Sequence, residues 1–283
     1  MTPQPNVPLP MNEATFLTMT RTQGFTVLVS NDRASSLLAQ MVLLNRILLE
    51  INDFNTKAAE TTLTEEYIKI SISTLSAKLS TWLKNLPAYM HDTPSNLQSY
   101  ASQGQGHLFV TLYLGYYHYG QMLFYRFLHE DVRGHTPCTH FYAQQCKEHA
   151  VRLCEMIYRS EEVPGCAVLY NMVGHVLVIA STVQIHTLLF GDEGSVVRAR
   201  ARLERNFCIL TKLRALWPTL DISNSLENAL KTFGPSSRQY QTILEMLKEC
   251  LRDIENESQK QSKAQVVDAD MLSIAMGFLE IGK

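Results

Sequence analysis

The sequence predicts an all-α fold: a single multi-helix domain of about eight helices with a buried central apolar helix. Apolar residues recur at intervals of three and four along most of the chain, which is typical of helices with one buried face. The chain has 13 glycines and 10 prolines in 283 residues, less than the usual combined share of about 12%. So few turn-forming residues favour a small number of long helices over many short strands.

Composition and charge exclude two broad classes of protein. Hydrophobic residues make up 46% and charged residues 18% of the chain, which excludes a wholly disordered protein. The net charge is −2, so the chain has no overall positive field that would hold nucleic acid.

The first 16 residues lack a basic stretch followed by an apolar one, so they predict no signal peptide. The six cysteines include no CxxC pair and are expected to be reduced thiols of an intracellular protein.

The sequence patterns divide the chain into three predicted segments. Residues 1–33 are expected to be an extended lead-in, 34–255 an all-α domain, and 256–283 a flexible polar tail that contains a short amphipathic segment. Residues 90–106 are polar, contain one proline and two glycines, and predict a loop. Four predicted helices have bounds given by residue numbers: 34–54, 107–129, 164–190 and 195–216. Another runs from a Thr62/Glu65 capping box to Pro87, and one that includes 146–157 begins after Thr136-Pro137. The last runs from Pro235 to Ile254.

The segment 164–190 has no charged residue and is long enough to cross a membrane. However, it contains Asn171, His175, Gln184 and His186, and polar groups in that number are costly in hydrocarbon. We therefore predict a helix buried inside the protein and no membrane contact, with a transmembrane helix as the alternative.

No recognised catalytic or cofactor motif is present: the sequence lacks GxSxG, HExxH, Walker A and Rossmann patterns. We therefore predict no catalytic residues, no cofactor and no metal site, and a protein that is not an enzyme. Cys138, His140, Cys146 and His149 form a possible metal cluster, but their spacing is wider than that of usual zinc sites. The histidines between 107 and 186 are expected to be surface residues or hydrogen-bonded core residues.

Aromatic side chains cover most of the circumference of the predicted helix at 112–128. Core packing explains most of them, and the alternative is a partly polar pocket for a small apolar ligand. The candidate ligand-binding residues in that pocket are Tyr116, His118, Tyr119 and Arg126.

A second unusual stretch, residues 196–218, carries five arginines and one lysine. A solvated basic face opposite an apolar face accounts for this pattern. The alternative is a surface for nuclear import or for an acidic partner.

Six blocks of the sequence resemble, in the same order, the fungal-specific regulatory domain, or middle homology region, of fungal binuclear zinc-cluster transcription factors. The resemblance covers most of residues 7–233. The blocks are VPLPMNEATF at 7–16, LLAQMVLLNRILLEINDF at 37–54, LSAKLSTWLKNLP at 75–87, LYLGYYHYGQMLFYRFL at 112–128, CKEHAVRLCEMI at 146–157 and RARLERNFCILTKLRALWP at 200–218.

The chain also departs from that family. It contains no six-cysteine zinc-cluster segment, and FYRFL at 124–128 lacks the family's proline. The resemblance therefore implies a nuclear transcriptional regulator, connected with metabolic or secondary-metabolite genes, that has no DNA-binding residues of its own. Its expected partners are other transcription regulators or a homologous subunit, with a small apolar effector as a further ligand. The alternatives are a truncated factor without independent activity and an all-α small-molecule-binding protein or enzyme.

Overall fold

The computed structural model describes residues 9–10, 36–128 and 137–217. All secondary structure in these ranges is helical, which confirms the predicted all-α class. The predicted helix that begins at Pro235, the polar tail 256–283 and all but two residues of the lead-in 1–33 lie outside the described residues. The described elements are α1 (Leu37–Glu60), α2 (Glu65–Asn85), a short 3-10 helix (Ala88–Met90), α3 (Pro94–Ser102), α4 (Gly106–Phe124), α5 (Pro137–Glu162), α6 (Asn171–Phe190) and α7 (Glu193–Leu216).

The chain divides into two compact units, Met1–Val168 and Leu169–Lys283. In the first unit, α4 packs against α1, α2, α3 and α5. Its aromatic side chains, together with residues such as Ile51, Ile72 and Leu153, form the core of this unit. The aromatic stretch of the sequence is therefore the central helix of the first unit.

The region 90–106, predicted as a loop, contains the helix α3, so that prediction was wrong. The Thr93 hydroxyl accepts a hydrogen bond from the backbone N–H of Asn96 at 3.2 Å, and Pro94 is the first helical residue. This is the same Thr-Pro start that predicted α5. Leu97 and Tyr100 bury the apolar face of α3, and the polar residues between them are exposed.

The start of α2 also differs from the prediction. The N-cap is Thr64, whose side chain accepts a hydrogen bond from the backbone N–H of Tyr67 at 3.3 Å, and not the predicted Thr62. Thr64 stands directly before the first helical residue, where a side-chain oxygen satisfies an N–H that the helix leaves free.

In the second unit, α6 packs against α7. Buried residues cover most of α6, which confirms the predicted buried apolar helix. It starts at Asn171 and not at 164, because Pro164 and Gly165 form a turn in which Gly165 has a φ of 79°. Within the described ranges, α6 is the one helix long and apolar enough to cross a membrane, and 78% of its most apolar window is buried.

The helix α7 has the predicted division into a basic and an apolar face. Leu203, Phe207 and Leu210 are buried, and the guanidinium of Arg200 forms an exposed ion pair with Glu204. The indole N–H of Trp217, directly after α7, donates a hydrogen bond to the carbonyl of Leu169 at 2.7 Å. This bond connects the end of α7 to the segment that leads into α6.

Candidate functional site

A cavity of about 480 Å³ lies in the first unit, between α2, α4, α5 and the residues that follow the 3-10 helix. This volume is within the range of small-molecule sites, roughly 300 to 1,000 Å³. Its walls combine aromatic rings with a small number of charged groups. The lining residues are Leu83, Lys84, His91, Asp92, Tyr113, Tyr116, Tyr117, Gln145, Glu148, His149 and Arg152.

Three tyrosines of α4 form one wall of the cavity. Positions 113, 116 and 117 fall on one face because neighbours on a helix surface are three and four residues apart. The Tyr113 hydroxyl donates a hydrogen bond to the carbonyl of Met90 at 2.6 Å, and the Tyr117 hydroxyl donates to Oδ2 of Asp92 at 2.5 Å. The ring of Tyr116 stacks on Trp82 with the ring centroids 5.4 Å apart. These contacts fix all three rings.

Burial further favours the uncharged form of these tyrosines. It raises the pKa of Tyr116 to about 12, and the pKa of Tyr113 and Tyr117 rises further still. For Tyr117, the neighbouring carboxylate of Asp92 adds to this effect. The α4 wall is therefore an uncharged aromatic surface at neutral pH.

His149 of α5 completes this aromatic wall. Its ring centroid lies 5.5 Å from that of Tyr116 and 6.1 Å from that of Tyr117. The close approach depends on Gly120 of α4, where an added Cβ would lie 2.4 Å from the His149 ring. Burial lowers the pKa of His149 to about 4, so the imidazole is neutral at pH 7. Its Nδ1 is buried and has no hydrogen-bond partner within the described residues.

The negative charge of Asp92 at the edge of the cavity is compensated. Nη2 of Arg159 lies 2.9 Å from Oδ1 of Asp92 in an ion pair, and the Asp92 side chain is only 9% exposed. The hydroxyl of Tyr117 hydrogen-bonds to the other carboxylate oxygen. Asp92 therefore has a structural role, in which it links the segment after the 3-10 helix to α4 and α5.

Three exposed charged side chains remain at the mouth of the cavity. Lys84 comes from the last turn of α2, and Glu148 and Arg152 come from α5. Within the described part of the chain, none of the three forms a hydrogen bond or an ion pair with another side chain. The mouth therefore offers two cations and one anion to a ligand.

The structure separates the four candidate residues predicted from the sequence. Tyr116 lines the cavity. His118 is buried but belongs to a different face of α4, and the hydroxyl of Tyr119 donates a hydrogen bond to Oδ1 of Asn45 on α1. Arg126 is half-buried after the end of α4 and does not line the cavity. The ligand-binding role of the four residues stays a prediction, and of the four only Tyr116 has a place in this site.

Sequence reasoning missed Tyr113, Tyr117 and His149. The two tyrosines share a face with Tyr116, so the helical spacing could have grouped them. Nothing local in the sequence marks His149, because its position depends on a glycine of another helix. Among the described residues, no group of three or more His, Cys, Asp or Glu side chains is arranged to hold a metal ion.

No protein-family model matches the sequence, and comparison with the curated proteins and with the solved structures found no similar chain.

Proposed function

We propose that the chain is a regulatory domain in transcriptional control, and that its first unit binds a small, mostly apolar effector in the cavity between α2, α4 and α5. In this proposal the protein acts in the nucleus through contacts with other transcription regulators or with a homologous subunit. The effector would change those contacts by favouring one conformation of the domain.

The observation that carries the proposal is that three of the six resembling blocks meet at this cavity. Block 75–87 supplies Leu83 and Lys84, block 112–128 supplies the three tyrosines, and block 146–157 supplies Glu148, His149 and Arg152. A shared ligand site would explain why blocks that are far apart in the sequence resemble one family together. The resemblance rests on these sequence blocks alone.

Sequence-specific DNA binding is not part of the proposal. Specific binding requires side chains that contact base edges and cations that neutralise phosphates. The sequence has no zinc-cluster segment, and its net charge is −2. We expect the purified chain to show no sequence-selective DNA binding at physiological salt, in a competition assay with random duplexes.

The test joins the full chain to an unrelated DNA-binding domain and measures a reporter gene in a fungal host. Gln145→Trp places a bulky ring at a residue that lines the cavity, and Gln144→Trp places the same ring at the exposed neighbouring position. We expect the fusion to change reporter expression, Gln145→Trp to alter that change, and Gln144→Trp to leave it as it is. A fusion with no effect on the reporter, or two variants with equal effects, would contradict the proposal.

A second candidate is an all-α small-molecule-binding protein without a role in transcription, and the same aromatic cavity favours it. The two candidates differ in one outcome of the experiment. If small molecules bind in the cavity but the reporter never responds, the second candidate is correct.

A further inference from the structure

The walls and the mouth of the cavity together indicate which chemical class of ligand fits it. The deep walls are aromatic and uncharged: they consist of Tyr113, Tyr116, Tyr117 and the neutral ring of His149. The hydroxyls of Tyr113 and Tyr117 already donate to Met90 and Asp92. Tyr113 is fully buried, so the ring surface that a ligand can reach comes from Tyr116, Tyr117 and His149, and ring surface favours a flat aromatic or apolar body.

The polar groups that a ligand could use lie at the mouth. Asp92 is already neutralised by Arg159, so it does not oppose an anion there. Lys84 and Arg152 come from different helices, and within the described residues neither has an anionic partner. Glu148 is the one uncompensated carboxylate among the lining residues, so the mouth has a net excess of one positive charge.

We propose that the ligand of this cavity is an aromatic carboxylic acid, with its ring among Tyr116, Tyr117 and His149 and its carboxylate at the mouth between Lys84 and Arg152. The inference rests on the proposed function, since it names the chemical class of the effector. Neutral apolar ligands and cationic ligands are not the preferred occupants, because neither kind forms an ion pair with Lys84 or Arg152.

The chain contains its own reporter for this binding. Trp82 is 7% exposed and stacks on Tyr116, which lines the cavity, with an interplanar angle of 24°. The chain has two tryptophans, so Trp217→Phe leaves Trp82 as the single emitter. A ligand that contacts Tyr116 is expected to change the Trp82 fluorescence.

The experiment titrates the full-length Trp217→Phe protein with three probes that share one ring: benzoate, benzamide and benzylamine, which absorb and emit at shorter wavelengths than tryptophan. We expect the acid to bind about tenfold more tightly than the amide, which corresponds to about 1.4 kcal/mol. The cationic amine should bind most weakly. The advantage of the acid should shrink at about 0.5 M salt, because salt screens partly exposed charges.

Matched variants identify the groups responsible. Lys84→Gln and Arg152→Gln should each reduce the acid's advantage over the amide. Lys69→Gln removes an exposed cation from the same helix as Lys84, outside the cavity, and should leave the advantage unchanged. All three positions are exposed, so these substitutions are expected to leave the fold intact.

The outcomes separate this inference from the proposed function. If the amide binds as tightly as the acid, or if Lys84→Gln and Arg152→Gln have no effect, the acid class is wrong and an effector cavity remains. If none of the three probes binds, the acid class is also wrong, and the reporter test of Gln145→Trp then decides the proposed function by itself.

Discussion

The central helix α4 of the first unit and the buried helix α6 of the second unit are the two most apolar helices in the described residues. They differ in the kind of side chain that they bury. Large rings on α4 hydrogen-bond to other segments through Tyr113 and Tyr117 and leave a cavity beside them. On α6, aliphatic side chains fill the interior, and Ser181 and Thr182 hydrogen-bond to carbonyls of their own helix. Apolar composition predicts that a helix is buried, while the size and polarity of its side chains decide whether space for a ligand remains.

The largest expected effect on the free energy of unfolding comes from removing a buried aliphatic side chain of α6. Leu177 is fully buried, and Leu177→Ala should lower the free energy of unfolding by about 3 kcal/mol, because it removes buried methyl groups and leaves a void. Met172, on the same helix, is 58% exposed, so Met172→Ala should change the free energy by less than about 0.5 kcal/mol. Urea denaturation measures both, and equal losses would show that α6 is not packed as described.

On α4, two glycines provide a test of the wall of the cavity. Gly120→Ala places a methyl group 2.4 Å from the ring of His149 and should lower the free energy of unfolding by about 2 kcal/mol. At Gly115, the nearest atom to an added Cβ is 3.5 Å away, on Leu44. Gly115→Ala should therefore be neutral or stabilise by up to about 1 kcal/mol, because alanine favours helix. If both variants behave alike in thermal denaturation, His149 does not pack on Gly120.

The elements of the fold could be predicted because their signals are local. The spacing of apolar residues gave α1, α2, α4, α5, α6 and α7. The missed helix α3 had the same kind of signal, since Thr93-Pro94 repeats the Thr-Pro pattern that predicted α5, but the polar composition of 90–106 outweighed it. The capping-box pattern of Thr62 and Glu65 predicts an N-cap two residues before the observed one at Thr64.

The site could be predicted only in part, because it depends on which faces of separate helices meet. His118 and Arg126 interrupt an aromatic run, but an interruption in sequence does not give the direction of a side chain. Nothing in the sequence distinguishes Tyr116 from the other aromatic residues of that run. The His149 ring packs closely on Gly120, and a contact between residues 29 positions apart has no local signature.

The neutral state of His149 makes the stability of the first unit depend on pH. The pKa of His149 is about 4 in the folded protein and about 6.5 when unfolded. Between these values the unfolded chain binds more protons, so the free energy of unfolding falls as the pH falls. We expect a loss of about 1.5 kcal/mol between pH 7 and pH 5, allowing for the partial exposure of the ring.

Two variants isolate this contribution in urea denaturation at a series of pH values. His149→Gln removes the titrating group and should flatten the decline between pH 7 and pH 5. His107→Gln removes an exposed histidine from the first turn of α4 and should keep the decline of the unsubstituted protein. The same slope in His149→Gln and in the unsubstituted protein would contradict a neutral His149 in the wall.

The smallest expected effect concerns the hydrogen bond that joins α6 to α7. Nδ2 of Asn206 donates to the hydroxyl of Ser181 at 3.0 Å, and that hydroxyl donates to the carbonyl of Leu177 at 2.8 Å. Asn206 and Ser181 are both fully buried. A hydrogen bond of this kind contributes about 1 kcal/mol net, because water would satisfy both groups in the unfolded chain. A double-mutant cycle of Ser181→Ala and Asn206→Ala should therefore give a coupling energy of about 1 kcal/mol in urea denaturation.

A cycle through Thr211→Val and Asn206→Ala serves as the control: the Thr211 hydroxyl donates to the carbonyl of Phe207 within α7, so its coupling to Asn206 should be close to zero. Equal coupling in the two cycles would mean that the bond between Ser181 and Asn206 does not join the helices in solution.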